Sequence, residues 1–217
     1  MQENLPVRIT PLLSGARADH SLDQVTGVAL SRREVFIPVL NAARHGFGTP
    51  GRLAPPSAPG LRAWTDGVEE LRLQLDRFGW QVPAAASLDL AGFVFSPDGT
   101  RAITMVSGDE ATGRPGYTPQ VRYARGKVVS EYVQDSLFGE VGTDERTETV
   151  WYLLHQMSND GWRAELSLPS GVDRRGFITS WAHRIEIATD RPLDGGERKQ
   201  ESTPDLPMPT VRWRESA

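Results

Sequence analysis

The sequence predicts an α+β domain: an antiparallel sheet of about five strands built from two hairpins, with one or two N-terminal helices packed on it. Three observations carry that reading. Trp64, Val68, Leu71, Leu75 and Phe78 form an apolar stripe at helical spacing. The pattern changes to period two after Leu88. Two turn signals, Ser96-Pro-Asp-Gly-Thr100 and Ser158-Asn-Asp-Gly161, each separate two strand-like runs.

The length of 217 residues gives between one and two domains at about 150 residues each. The expected organisation is an N-terminal strand and helix segment over 1–44, a linker over 45–60, the main α+β domain over 61–189, and a tail over 190–217. Within the first segment, 7–10 and 25–30 read as short strands. Ser31-Arg-Arg-Glu34 has the spacing of a capping box, which would start a helix running through Ala43 to a stop at Gly46. Pro38 opposes that helix, because an interior proline lacks the N–H and crowds the preceding turn. The alternative is an extended 34–37 followed by a helix with Pro38 in its first turn.

The linker holds four Gly and four Pro in sixteen residues. The helix that follows carries Glu69, Glu70, Arg72, Asp76 and Arg77 opposite its apolar stripe, and Gly79 is placed to cap it. The stripe reads as core rather than a cofactor box. The first hairpin is 88–95 with 101–106, turning at Pro97 and Gly99. The second is 147–156 with 162–168, and a last strand covers 177–187. Residues 108–126 read as a long loop, and 127–137 as a strand or short helix. The tail mixes Pro, Gly and charge without periodicity, so it is expected to be extended or disordered when alone. Its end, Arg212, Trp213 and Arg214, either folds back on the domain or anchors a partner.

Composition removes several chemistries. There is no cysteine, hence no disulfide, thiolate nucleophile or cysteine-held metal, and a cytoplasmic setting is expected. The net charge of -4 is the wrong sign for a generic nucleic-acid coat. Arginine outnumbers lysine 22 to 2, the codon preference of a GC-rich genome being the plain cause. The run 131–148 has six acids against Arg146, a solvated surface or a docking face for a basic partner. No apolar run approaches the roughly 20 residues of a membrane span. The N-terminal MQENLPVRITPLL lacks a basic then apolar pattern, so no secretory leader is expected.

Candidate sites follow from what remains. Gly108-Asp-Glu-Ala-Thr-Gly113 after a predicted strand matches the two glycines of a phosphate loop, yet Arg114 and Pro115 replace the lysine and hydroxyl residue. Asp109 and Glu110 would also put negative charge in an anion cradle. The segment is therefore a binding loop of another kind or a turn-rich connection. Pro97-Asp98 could open a PD-(D/E)xK nuclease arrangement, but the only following triplet is the distant Glu197-Arg-Lys199, so Asp98 reads as a turn residue. His155 and His183 could meet across the sheet with Glu165 or Glu186 and hold a metal in a metal-dependent enzyme, although strand histidines are usually structural. No G-x-S-x-G elbow marks a serine hydrolase. Residues 113–128 carry four cations and no acid: Arg114, Arg122, Arg125 and Lys127 interleave with Tyr117 and Tyr123, as a strand-stacking nucleic-acid surface would. No cofactor and no catalytic residue is identified. A protein partner is expected, nucleic acid is the alternative partner, and no membrane partner is expected.

Pro-Gly-Leu-Arg-Ala-Trp64 before a helix ending in Gly-Trp80, then SPDGT, SGDEATGRPGYTP, and TVWYLLHQ with GWRAELSLPSG, resemble a set of hypothetical proteins found on bacterial plasmids and other mobile elements. The resemblance covers 59–187, and its most distinctive piece is GDEATGR, 108–114. That set has no established activity, so the resemblance implies a mobile-element or defence setting and assigns no residue role. The functional expectation is a non-enzymatic interaction or adaptor subunit.

Overall fold

The structure, a computed structural model, describes residues 9–82, 92–122, 149–158, 161–173 and 175–188. In chain order they form β1 (Leu12–Leu13), α1 (Gly15–Thr26), a π-helical turn (Arg32–Phe36), α2 (Ile37–Gly48), α3 (Ala58–Asp76), β2 (Val94–Phe95), β3 (Arg101–Ser107), β4 (Thr149–Ser158), β5 (Gly161–Val172) and β6 (Ile178–Ala188). The α+β class holds. The sheet, however, has six strands in the order β1-β6-β5-β4-β3-β2 and is mixed, which corrects the expectation of an antiparallel sheet of about five.

Both expected turns join antiparallel strands, β2 with β3 and β4 with β5, and β6 adds antiparallel to β5. Of the first expected strand, 88–95, only Val94–Phe95 is strand, and 88–91 lie outside the described residues. The difference lies where the hairpins join. β3 and β4 run parallel, with Ala102 opposite Val150 and Ser107 opposite His155. Parallel neighbours need a crossover of a dozen residues or more, and residues 108–148 provide 41 between them. The second parallel pair is β1 on β6, which brings the N-terminal segment onto the sheet edge.

The helices cover one face of the sheet. In α3 the expected stripe is buried at Val68, Leu71 and Leu75, and the half-buried Trp64 donates from Nε1 to the Met105 carbonyl at 3.1 Å. Phe78 departs from the stripe and is 40% exposed. The cause is the helix end: the N–H of Gly79 returns to the Asp76 carbonyl and that of Trp80 to the Leu75 carbonyl, with Gly79 at φ 79°. This Schellman closure leaves Phe78 outside the last turn. Trp80 takes the buried place instead, 2% exposed, with Nε1 on the Thr26 carbonyl at 3.1 Å.

The N-terminal segment differs in detail from expectation. Val25 and Thr26 belong to the last turn of α1, whose Ala18, Leu22 and Val25 face the core, so no strand starts there. Ser31 has helical backbone angles and makes no side-chain cap. Its hydroxyl donates to Asp23 Oδ1 at 2.8 Å instead, closing the turn between helices. Neither reading around Pro38 holds whole: 34–37 is helical and not extended, the backbone running from the π-helical turn directly into α2. There Pro38 sits in the first turn, and the helix continues past the expected stop at Gly46 to Gly48. The nine residues 49–57 connecting α2 to α3 fall inside the Gly/Pro-rich stretch.

Contacts beyond the strands extend the sheet at both ends. Past the two residues of β6 that pair with β1, Arg32 donates to the Glu186 carbonyl at 2.7 Å and to the Ile187 carbonyl. At the other edge Gln81 exchanges two backbone hydrogen bonds with Phe95. Such capping keeps exposed strand edges from pairing with other chains. The opposite sheet face has its own cluster, Phe93, Ala102, Val106, Val121, Val150, Tyr152, Leu154, Ile178 and Trp181. Over this face lies the segment that follows β3.

Candidate interaction site

From Ser107 the chain leaves β3 and crosses that second face over 108–122. The base of the crossing is closed by backbone hydrogen bonds, Asp109 N–H to the Gln120 carbonyl at 3.0 Å and Arg122 N–H to the Ser107 carbonyl at 3.1 Å. Val121 enters the apolar cluster, and Trp181 Nε1 donates to the Pro119 carbonyl at 2.9 Å.

The inner half of the loop is fastened by two buried charges that the sequence reading did not single out together. Alternation on β5 puts Glu165 and Ser167 on this face, and Arg184 lies opposite Ser167 on β6. Glu165 is fully buried and Arg184 1% exposed. Arg184 meets the carboxylate with two nitrogens, Nε to Oε1 at 2.9 Å and Nη2 to Oε2 at 2.6 Å. Ser167 Oγ donates to Oε1 at 2.7 Å and the Gly113 N–H to Oε2 at 2.7 Å. Arg184 has donors left over: Nη1 holds the Tyr117 carbonyl and Nη2 reaches the Arg114 carbonyl at 3.4 Å. A buried pair is tolerable only when its remaining hydrogen-bonding capacity is also met, and here the loop backbone meets it.

This geometry settles the phosphate-loop comparison. The N–H groups that a phosphate cradle would turn toward its ligand are already used. Ala111 donates to Asp109 Oδ1, Thr112 to the Asp109 carbonyl, Gly113 to Glu165 and Arg114 to the Ala111 carbonyl. Asp109 organises the turn, Gly108 and Gly113 are buried, and Glu110 is exposed. Gly113 leaves no room for a side chain: a Cβ there would lie 3.0 Å from the Arg163 Cβ.

The outer half of the loop faces solvent. Pro115 and Gly116 are the central residues of a turn, and Gly116 at φ 78° has the conformation that the third residue of a type II turn requires. Arg114 and Tyr117 are therefore its first and last residues, and these are the two whose carbonyls Arg184 holds. Arg114 and Arg122 are exposed and Tyr117 is 59% exposed. Their side chains make no hydrogen bond or ion pair among the described residues. Of the expected nucleic-acid set, Arg114, Tyr117 and Arg122 thus share one loop, while Tyr123, Arg125 and Lys127 lie outside the described residues. So do Arg212, Trp213 and Arg214.

The histidines do not come together. His155 is buried in the row of Ala164 and Ala188, whereas His183 pairs with Leu168 and stacks on Trp151 at 6.2 Å between centroids. Five residues of β6 separate those rows, roughly 16 Å at strand rise. Glu165 is on the face opposite His155 and committed to Arg184. Among the described residues no group of three or more His, Asp or Glu could hold a metal ion. Ser107 Oγ stands 3.5 Å from His155 Nε2, at the limit of a hydrogen bond. Asp98 is a turn residue as read, its Oδ1 accepting from Ser96 Oγ and the Thr100 N–H.

Glu165 and Arg184 did leave a trace in the sequence. Each is a charge set among apolar residues of a strand, Ala164-Glu-Leu166 and Arg184-Ile-Glu-Ile187. Opposite charges on strand interiors are the pattern a buried cross-strand pair leaves. No protein-family model matches this chain, and comparison with curated proteins and with solved structures finds no match. The functional reading therefore rests on the residues themselves.

Proposed function

We propose that this chain is a non-enzymatic interaction protein, an adaptor subunit whose contact surface is the turn 114–117 with Arg122 beside it. One observation carries the reading: Arg184 holds both ends of the turn from below, while Arg114, Tyr117 and Arg122 above it are exposed and unengaged among the described residues. A surface held in one conformation before contact loses less entropy on binding, and Arg and Tyr are side chains that dominate interface energetics. The mobile-element or defence setting rests on the resemblance over 59–187, and a cytoplasmic location on the absence of cysteine. Among the described residues no helix is long and apolar enough to cross a membrane.

Nucleic acid is the second reading, favoured by two arginines in the loop that exposes Tyr117, since cations beside a free aromatic face suit phosphates and a stacked base. A metal-dependent enzyme, the third, draws no support from the separated His155 and His183.

The test is capture from the native host with the full chain and with Arg114→Ala/Tyr117→Ala, each with and without nuclease. A partner that survives nuclease and is lost with the double variant is the expected result. Partners lost with nuclease move the assignment to nucleic acid. A captured set that the double variant leaves unchanged overturns the turn as the contact surface.

A further inference from the structure

A second surface lies on the helical layer, away from the loop face. Where α2 passes into α3, Arg44 is four residues before the end of one helix and Arg62 four after the start of the next. The two helices touch there, since a Cβ on Gly46 would stand 2.5 Å from Asp66 Oδ2 and 2.7 Å from the Arg62 carbonyl oxygen, so one carboxylate, Asp66, borders the patch on its inner side. The connection carries Arg52 and Leu53, and Leu61 is in the first turn of α3. Leu53 is 88% exposed and Leu61 61%. Arg44, Arg52 and Arg62 are exposed, and their side chains make no hydrogen bond or ion pair among the described residues. From Val35 to Thr65 the chain has no Asp or Glu.

The connection is ordered by its own backbone. Thr49 N–H donates to the Gly46 carbonyl, Ala54 N–H to the Gly51 carbonyl and Ala58 N–H to the Pro55 carbonyl. Pro50, Pro55 and Pro56 stiffen it further. Leu53 is thus presented, not collapsed onto a neighbour.

We infer that this end of the α2–α3 hairpin docks on an anionic lipid surface. Leu53 and Leu61 enter the headgroup layer, and Arg44, Arg52 and Arg62 engage lipid phosphates. The combination decides the class. Phosphate contacts alone would fit nucleic acid, but that gives the exposed leucines nothing to enter. A lipid layer takes both, apolar side chains below the headgroups and cations among them. Its phosphates also reach arginines spread over two helices and a loop, which a single carboxylate of a protein partner would not. The net charge of -4 does not oppose this, because charges further off than about 8 Å are largely screened at physiological salt. Docking of this kind needs no spanning helix, and it leaves the loop 108–122 free for a second partner.

Co-sedimentation tests it, using the full chain and vesicles of phosphatidylcholine with an equal part of phosphatidylglycerol. The expected result is binding that disappears with pure phosphatidylcholine and weakens as salt rises. Arg52→Ala and Arg62→Ala should each lower the partition coefficient roughly fivefold. Leu53→Glu should abolish sedimentation while the melting temperature is unchanged, the side chain being almost wholly in water already. Arg114→Ala/Tyr117→Ala should sediment as the parent does, so this result stands or falls apart from the loop's role. No sedimentation with the anionic vesicles at low salt, or equal sedimentation of Leu53→Glu, overturns the inference; salt-sensitive binding to an acidic protein with none to vesicles does so as well.

Discussion

The two faces of the sheet are buried by different means, and the comparison explains where the charges are. Under the helices, Val68, Leu71 and Leu75 pack on Ile103, Met105, Leu153, Leu166 and Ile185. Under the loop, Val106, Tyr152, Leu154 and Trp181 share the face with Glu165 and Arg184. A helix satisfies its own amides and carbonyls along its length, so it asks the sheet only for apolar area. A loop brings unpaired backbone groups, and each must find a partner when buried. Glu165 takes the Gly113 N–H, Arg184 takes two carbonyls, and Trp181 takes that of Pro119. Covering a sheet with a loop therefore requires polar residues on the strands beneath it.

Arg184→Ala should have the largest effect. It strands the Glu165 carboxylate in a buried site and releases both ends of the turn, a loss of about 3–5 kcal/mol by analogy with other broken buried pairs. Urea unfolding measures it. Glu165→Leu/Arg184→Leu should lose less than the sum of the two single changes, because no charge is left unpaired. Additive losses would mean that the two side chains act independently. Hydrogen exchange at the Gly113 amide sharpens the reading, since it should quicken in Arg184→Ala beyond what global destabilisation accounts for.

Leu71→Ala probes the other face and should cost about 3 kcal/mol through a cavity beneath α3. Its signature differs more than its size. Exchange at Gly113 should change only by as much as global stability does, because the loop's contacts are untouched. Local loosening of the loop in Leu71→Ala would show that the two faces are coupled through the sheet.

The contrast also accounts for what could be read in the sequence. Period two marked β3, β4, β5 and β6, and helical spacing marked α3, since both periods report one apolar face against one core. The order of strands escaped, because alternation says which way a side chain points and not which strand lies alongside. β3 and β4 share the same pattern whether parallel or antiparallel. The loop residues Arg114, Tyr117 and Arg122 were legible as exposed cations and an aromatic ring. Their anchor left only a trace, charges among apolar strand residues, because the Glu165–Arg184 pair joins two strands and each residue alone also fits an outward-facing polar position. Phe78 and Ser31 both misled at helix ends: Phe78 follows the last turn of α3, where the closing backbone bonds and not periodicity decide burial, and Ser31 begins the π-helical turn with its hydroxyl spent on Asp23.

The smallest effect belongs to the turn that starts β3, where polar contacts are exposed. Asp98 accepts from Ser96 Oγ first, then from the Thr100 N–H, with Arg101 nearby at 3.4 Å. Together these hold its carboxyl below the ordinary carboxylate value of 3.8. A depressed folded-state pKa means that the carboxylate form is favoured by folding. The contribution is therefore present above about pH 4 and lost as the pH falls below the unfolded value toward the folded one. Asp98→Asn should lose that contribution, a small fall in melting temperature at neutral pH that shrinks toward zero as the pH drops below the unfolded value, as read at a series of pH values. A parallel acid slope in Asp98→Asn and parent would place the acid-sensitive groups elsewhere. Asp173 is then next, its carboxylate held low by the Phe177 N–H and, further, by the Arg175 N–H at the β5–β6 turn.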